Sequence, residues 1–302
     1  MEPKTHMEIT KIAIEAYCDH HDSQLADTLG KRRYQSALVG GTKDEDKVSF
    51  SRATNWHFYP ANSTIRDQKK SVLGFLKITI DPTSRSIVSQ RQENMIRAIE
   101  GGASEFFFSQ FGRVLHHIQD MSTPSHVLPI YHGPMAKDSY ESYLVKYWDD
   151  LCRHIKQAER LADTPEHVPE KLTDLYELAA QRLLVYLESG ESDIRVSINN
   201  ETTLKPSILF WKPYDPAAGS SNSKAPFNIQ GFGQFAILGN RFGKTSLHTV
   251  NDITYQVCKP EYIRYASKLV CFAIRDTLTA LDCVSNLIDK RFADNYFLRD
   301  TG

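Results

Sequence analysis

Apolar positions along most of the chain recur three and four residues apart, the period of an amphipathic helix with one face turned to a core. In EITKIAIEAY, Ile9, Ile12, Ala13 and Tyr17 fall on one stripe. Residues 102–121 carry Phe107, Phe108, Phe111, Val114, Leu115 and Ile118 in the same way. A stretch headed by Asp138 predicts one long helix to about Leu161, through Tyr140, Tyr143, Leu144, Tyr147, Leu151 and Ile155. The segment PEKLTDLYELAAQRLLVYL (169–187) opens on a proline, which suits a first helical turn. Residues 260–290 repeat the pattern from Tyr262 to Leu287. The prediction is an all-α protein, a single multi-helix bundle domain over residues 1–302.

Two segments lose this period. Residues 40–66 are polar and turn-rich around the aromatic cluster NWHFYP. Residues 190–258 hold Gly, Ser, Asn and Pro with two strand-like pieces, SILFWKPY and IQGFGQFAIL. Helical period resumes after them, so 190–258 reads as a mostly irregular, short-strand insertion on the helical body and a candidate lid.

Charge narrows the function. The 302 residues carry 36 Lys+Arg against 37 Asp+Glu, a net −1, so no field of the chain would hold a nucleic-acid duplex by phosphate contacts alone. No run approaches the roughly 18–20 apolar residues of a membrane span. The opening MEPKTHMEITKIAIEAYCDH has charges throughout and no apolar centre of the signal-peptide kind. Cys18, Cys152, Cys258, Cys271 and Cys283 are scattered and include no C-x-x-C, so they are expected as buried small hydrophobes, outside any disulfide framework or thiolate metal site. GNRFGKTS (239–246) imitates a phosphate-binding loop, but it is one residue too short between its glycines and no amphipathic helix follows. There is no G-x-S-x-G.

The candidate chemistry lies in GRVLHHIQDMSTPSHV, residues 112–127. His116 and Asp120 are four apart on the predicted helix, hence on one face and about 6 Å apart along the axis. Both can reach one divalent ion at about 2.0–2.2 Å. Gly112 leaves room a turn back, Pro124 is expected to end the helix, and the turn should return His126 to the helix end. His117 points about 100° away and is expected to support or pack rather than ligate. Further donors stand elsewhere: His6 in an exposed first helical turn, Asp44, Glu45 and Asp46 in GGTKDEDK, His57 among the aromatics of NWHFYP, and Glu141 in KDSYESY. Carboxylates and imidazoles near helix ends, without thiols, suit zinc with hard substrate oxygens.

In order along residues 5–143, these landmarks read T-H-x-x-I-T-x-x-A, an acidic turn, H-F-Y-P, H-x-x-x-D-x-x-T-P-x-H and S-Y-E-x-Y. So arranged, the sequence resembles the bacterial zinc-dependent phospholipase C family, whose helical fold is shared with the single-strand-specific zinc nucleases. The resemblance implies up to three zinc ions. Asp46, His57, His116 and Asp120 would hold one; His6, the bridging Asp120 and the backbone of Met1 a second; His126 and Glu141 a third. It also implies hydrolysis of the glycerol-side phosphodiester of a phospholipid by metal-activated water, with Asp46 orienting or deprotonating that water. The expected protein is a monomer acting at a membrane surface, secreted or translocated out of a bacterial cell, with no stable nucleic-acid partner and no transmembrane segment.

Two positions depart from the family pattern. Met1 stands where the family has an N-terminal tryptophan, and Lys137 stands where H-x-x-x-E would place a histidine four before Glu141, leaving His132 as a substitute for the third ion. Single-strand nuclease activity and a degenerate, non-catalytic binding protein are the rival expectations. Trp56, Phe58, Tyr59, Phe210, Trp211 and Tyr214 are read either as aromatics at the rim of the site or as core.

Overall fold

A computed structural model describes residues 1–46, 57–59, 70–73, 76–80, 83–101, 104–128, 130, 138–158, 168–211, 241–250 and 253–292. The helices are α1 (Pro3–His20), α2 (Gln24–Leu29), α3 (Arg32–Asp44), α4 (Arg85–Glu100), α5 (Ser104–Asp120), α6 (Pro124–Val127), α7 (Ser139–Lys146), α8 (Trp148–Ala158), α9 (Leu172–Glu188) and α10 (Lys259–Phe292). The strands are β1 (Lys70–Leu73) and β2 (Leu76–Ile80), paired antiparallel, then β3 (Ile194–Ile198), β4 (Glu201–Lys205), β5 (Leu247–Val250) and β6 (Ile253–Gln256). The last four form an antiparallel sheet in the order β4-β3-β6-β5. The class is therefore mostly helical with a short-strand insertion, as the periodicity predicts.

Helix α5 is the axis of the bundle and packs against α1, α3, α4, α9 and α10. From Gln110 to Asp120 only Arg113 is not buried. A helix enclosed on every side cannot keep a polar face in water, so His116, His117, Gln119 and Asp120 must find partners inside the protein.

A pair of glycines sets the closest helix contact. A Cβ on Gly112 of α5 would lie 2.1 Å from Leu38 O of α3, and one on Gly41 would lie 2.2 Å from Ser109 O. Both positions therefore require glycine. The crossing also explains why Gly40 and Gly41, expected in an acidic turn, are helical: α3 runs on to Asp44 and ends beside α5.

Other expectations are corrected. The single helix from Asp138 to Leu161 is two, α7 and α8, broken at Tyr147 (φ −114°, ψ 23°). Pro124 does not end α5; the chain turns after Asp120 and Pro124 opens α6, where its fixed φ and missing N–H fit a first helical position. The described part of SILFWKPY, residues 207–211, is not a strand, because Ser207–Phe210 forms a 3₁₀ turn. IQGFGQFAIL lies outside the described residues.

The insertion's strands lie on either side of these pieces. The Asn199–Asn200 turn (φ 50° and 68°) is the type I′ hairpin loop that pairs Ile198 with Glu201. Gly243 (φ 66°) sits against the Tyr143 ring where a Cβ would come within 2.0 Å, and a strand rather than a helix follows it. Trp211 Nε1 donates to Asp138 Oδ2 at 3.5 Å, while Asp138 Oδ1 caps α7 by accepting from Tyr140 N at 2.9 Å. Trp211, Phe242, Tyr140 and Tyr143 thus join the insertion to the helix that carries Glu141.

Candidate metal centre

The end of α5 gathers donors from five places in the chain. His116 and Asp120 lie one turn apart, with Nε2 3.2 Å from Oδ2. After Asp120, successive bonds from Met121 N to Ile118 O, Ser122 N to Gln119 O and Thr123 N to Asp120 O close a tight turn, which returns His126 on α6 to within 3.6 Å of Asp120 Oδ1. His57 is positioned through its neighbours: Tyr59 N donates to His126 O at 2.8 Å, and Ser84 N to Phe58 O at 3.1 Å. Asp46 follows the end of α3, and Glu141 stands in the first turn of α7.

All of these groups meet around the buried Asp120. Its Oδ1 lies 2.8 Å from the Met1 amine and 3.3 Å from His6 Nε2. Its Oδ2 lies 2.9 Å from His57 Nδ1. His116 Nε2 is 3.0 Å from His57 Nδ1 and 3.9 Å from Asp46 Oδ1. Glu141 Oε1 is 3.2 Å from His126 Nε2 and 3.1 Å from the Met1 amine. The ligand atoms of His57, His116 and Asp120 lie within 4.8 Å of one another, as do those of His6, Asp46 and His116. His6, expected on an exposed turn, is fully buried and stacks on His116 with ring centroids 3.9 Å apart.

The spacing fits a metal. Donors about 2.1 Å from a tetrahedral ion stand about 3.4 Å from each other. His57, His116 and Asp120, separated by 2.9, 3.0 and 3.2 Å, approximate one face of such a tetrahedron, and Asp46 lies on its open side. Ring orientation agrees. The His116 Nδ1–H donates to Thr42 O at 2.8 Å and the His126 Nδ1–H to His57 O, so both rings turn Nε2 inward. His6 Nε2 is buried and makes no hydrogen bond. These buried His/Asp clusters can hold a metal ion, with nitrogen and oxygen donors throughout.

The electrostatics show how these buried groups balance one another's charge. Burial opposes charge on every group. At the Met1 amine, Asp120, Glu141 and Asp46 outweigh burial and lift the pKa to about 11. At His116, burial is likewise outweighed, by Asp120 and Asp46, which raise it to about 9. Burial lowers His6 to about 4 and His57 to about 3, so both rings are neutral donors at pH 7. Against burial, His126, the amine and His116 hold the Asp120 carboxyl well below the usual carboxylate range. A metal entering at neutral pH must displace the His116 proton. Uptake of a divalent ion would therefore release protons and strengthen as pH rises toward about 9, checked by titration with zinc in dye-buffered solution at several pH values. Affinity independent of pH between 6 and 9 would contradict this.

Of the three acidic-turn candidates, Asp46 faces the site. Glu45 accepts instead from Arg113 Nη1 at 2.7 Å, Arg91 Nη2 at 3.2 Å and His117 Nε2 at 3.3 Å. Despite burial, His117 and the two guanidinium groups hold its carboxyl far below its ordinary value. This box fixes the chain entering Asp46 and props His117, whose ring lies 4.9 Å from that of His57. Sequence reading missed Arg91, Arg113, Thr42 and Gln119, because none has a spacing that singles it out. Phe58, Tyr59, Phe210 and Trp211 are buried, so they are core rather than rim. Trp56, His132, Lys137 and Tyr214 lie outside the described residues. No helix among the described residues is long and apolar enough to cross a membrane. Compared with models of known protein families and with curated proteins, the chain matches none.

Proposed function

We propose that the protein is a zinc-dependent phosphodiester hydrolase of the phospholipase C type, cleaving the glycerol-side phosphodiester of phospholipids. The observation that carries the reading is the convergence of four imidazoles and two further carboxylates around one buried aspartate, with ligand-atom separations suited to divalent ions. Asp46, His57, His116 and Asp120 would hold one zinc. His6, Asp120 and the Met1 backbone would hold a second, and His126 with Glu141 a third.

Bound zinc supplies Lewis acidity, making a water more acidic and neutralising phosphoryl charge. Asp46 acts on that water. Burial works against its charge, but His116, His6 and His57 keep its carboxyl below the usual range, so it is ionised at neutral pH. It orients the water and accepts its proton as the oxygen bonds to phosphorus in line. The bond to the glycerol oxygen breaks, and the departing oxygen receives the proton to give diacylglycerol. The histidines hold and orient; Asp120, enclosed by them, takes no part in proton transfer.

The test begins with elemental analysis of the purified full chain, expected to give up to three zinc per chain. Phosphatidylcholine vesicles should then yield phosphorylated headgroup and diacylglycerol, and chelation followed by dialysis should abolish the release. Nucleotide release from single-stranded DNA with no headgroup release would transfer the site to the nuclease reading. Zinc near zero, or activity that survives chelation, would overturn the scheme.

A further inference from the structure

We infer that Gln119 is a positioning residue of this centre, locking the tautomer and ring orientation of His6 so that Nε2 faces Asp120 with its lone pair. The inference deepens the metal-binding reading and rests on it.

Its basis is a chain of hydrogen bonds through three helices. Thr277 Oγ1 on α10 donates to Ala273 O at 2.7 Å, which uses its only hydrogen. It must therefore accept from the Gln119 side chain, 3.1 Å away, and that assigns the nearer atom as Nε2. The second hydrogen of this nitrogen goes to Thr10 Oγ1 at 2.9 Å. Gln119 Oε1 is left facing His6 Nδ1 at 2.8 Å, and an amide oxygen can only accept. The proton of neutral His6 is thereby placed on Nδ1. Its Nε2, 3.3 Å from Asp120 Oδ1, keeps a lone pair for a cation.

His6, Thr10, Gln119 and Thr277 are all fully buried, so water cannot replace any of these bonds. His6 and Thr10 are four apart on α1, so one amide grips two successive turns of that helix. Through this contact α10, which supplies no ligand of its own, fixes the direction of a ligand on α1. The equivalent bonds of His116 and His126 end on backbone carbonyls, those of Thr42 and His57. Among these three locks only the one on His6 depends on a side chain, which makes it open to substitution.

Long-range ¹H–¹⁵N spectra of the metal-free full chain, with His6 assigned by comparison with His6→Gln, read the tautomer directly. Wild type is expected to carry the His6 proton on Nδ1. Gln119→Leu should free the ring to take the Nε2–H form and weaken zinc binding about 10–100-fold in competition with a chelating dye. Gln119→Glu retains an acceptor for the same proton but gives up the hydrogens donated to Thr10 and Thr277, so it should preserve the tautomer and lose less zinc affinity than Gln119→Leu. An Nε2–H tautomer in wild type overturns the inference. So does Gln119→Leu with wild-type zinc affinity, or equal loss of affinity in the two variants, since either makes the residue a space-filler. Wild-type protein that binds no zinc overturns the metal reading itself, a separate result from a failed tautomer.

Discussion

Asparagine in place of Asp120 is expected, on the proposed zinc-hydrolase reading, to strip the centre of metal and abolish hydrolysis while preserving the shape of the side chain. Each Asp120 oxygen serves more than one partner, Oδ1 facing the Met1 amine, His6 and His126, and Oδ2 facing His57 and His116. An amide offers one acceptor instead of two and no charge. Zinc affinity should fall by more than the roughly 10–100-fold that follows loss of a residue supporting a ligand. The metal-free protein should also weaken, because the protonated amine and His116 lose the buried carboxylate that holds their charge. Removing one partner of a buried ion pair costs about 3–5 kcal/mol. The sign of the pH dependence follows from the raised pKa values. Destabilisation in Asp120→Asn should be fullest below about pH 6.5, the ordinary histidine value, should shrink as pH rises to about 9 where folded His116 loses its proton, and should shrink further from about 8 toward 11 as the amine follows. Calorimetry between pH 6 and 10, with zinc analysis of each sample, checks both halves. A variant with wild-type zinc content and wild-type melting temperature would refute the central role of this carboxylate.

The second large effect comes from a single methyl group outside the donor set. In Gly112→Ala the new Cβ would stand 2.1 Å from Leu38 O, 2.8 Å from Gly41 Cα and 2.9 Å from Thr42 N. All three are backbone atoms, so no rotamer change relieves the clash and α3 must move away from α5. The cost should reach or exceed the upper end of the roughly 1–3 kcal/mol typical of overpacking, lowering the melting temperature by about 5–10 °C. Zinc affinity should fall as well. The same displacement carries Thr42 O away from His116 Nδ1 and shifts Asp46, which follows the end of α3. Gly40→Ala is the control. Nothing lies within 4 Å of a Cβ there, so replacing a helical glycine should leave stability unchanged or raise it by about 0.5–1 kcal/mol. Equal melting temperatures for the two alanine variants would show that the glycine contact is not what holds the helices together.

The clearest features in the sequence are those whose physics is local. The stripes of α1, α5, α9 and α10 follow from helical period, and the His116/Asp120 pairing follows from a four-residue spacing that any α-helix brings to one face. Local reasoning failed where packing intervened. Tyr147 continues the apolar stripe, yet the chain breaks there into α7 and α8. The glycines before Asp46 suggested a turn, but contact with α5 makes them helical. Phe58, Tyr59, Phe210 and Trp211 could be read from sequence as rim or as core, and burial assigns them to the core.

By itself the amino-acid sequence determined a mostly helical body and a thiol-free set of imidazoles and carboxylates, because periodicity and side-chain chemistry are properties of the residues. Tertiary structure decided which carboxylate of the acidic turn faces inward, which nitrogen each ring presents, and that His6, Asp46, His57, His126 and Glu141 meet at the end of α5. Those outcomes depend on atoms contributed by distant segments, such as the Thr42 carbonyl, the Gln119 amide and the guanidinium groups that hold Glu45. Long-range hydrogen bonds and helix contacts leave no regular spacing in the chain from which they could be read.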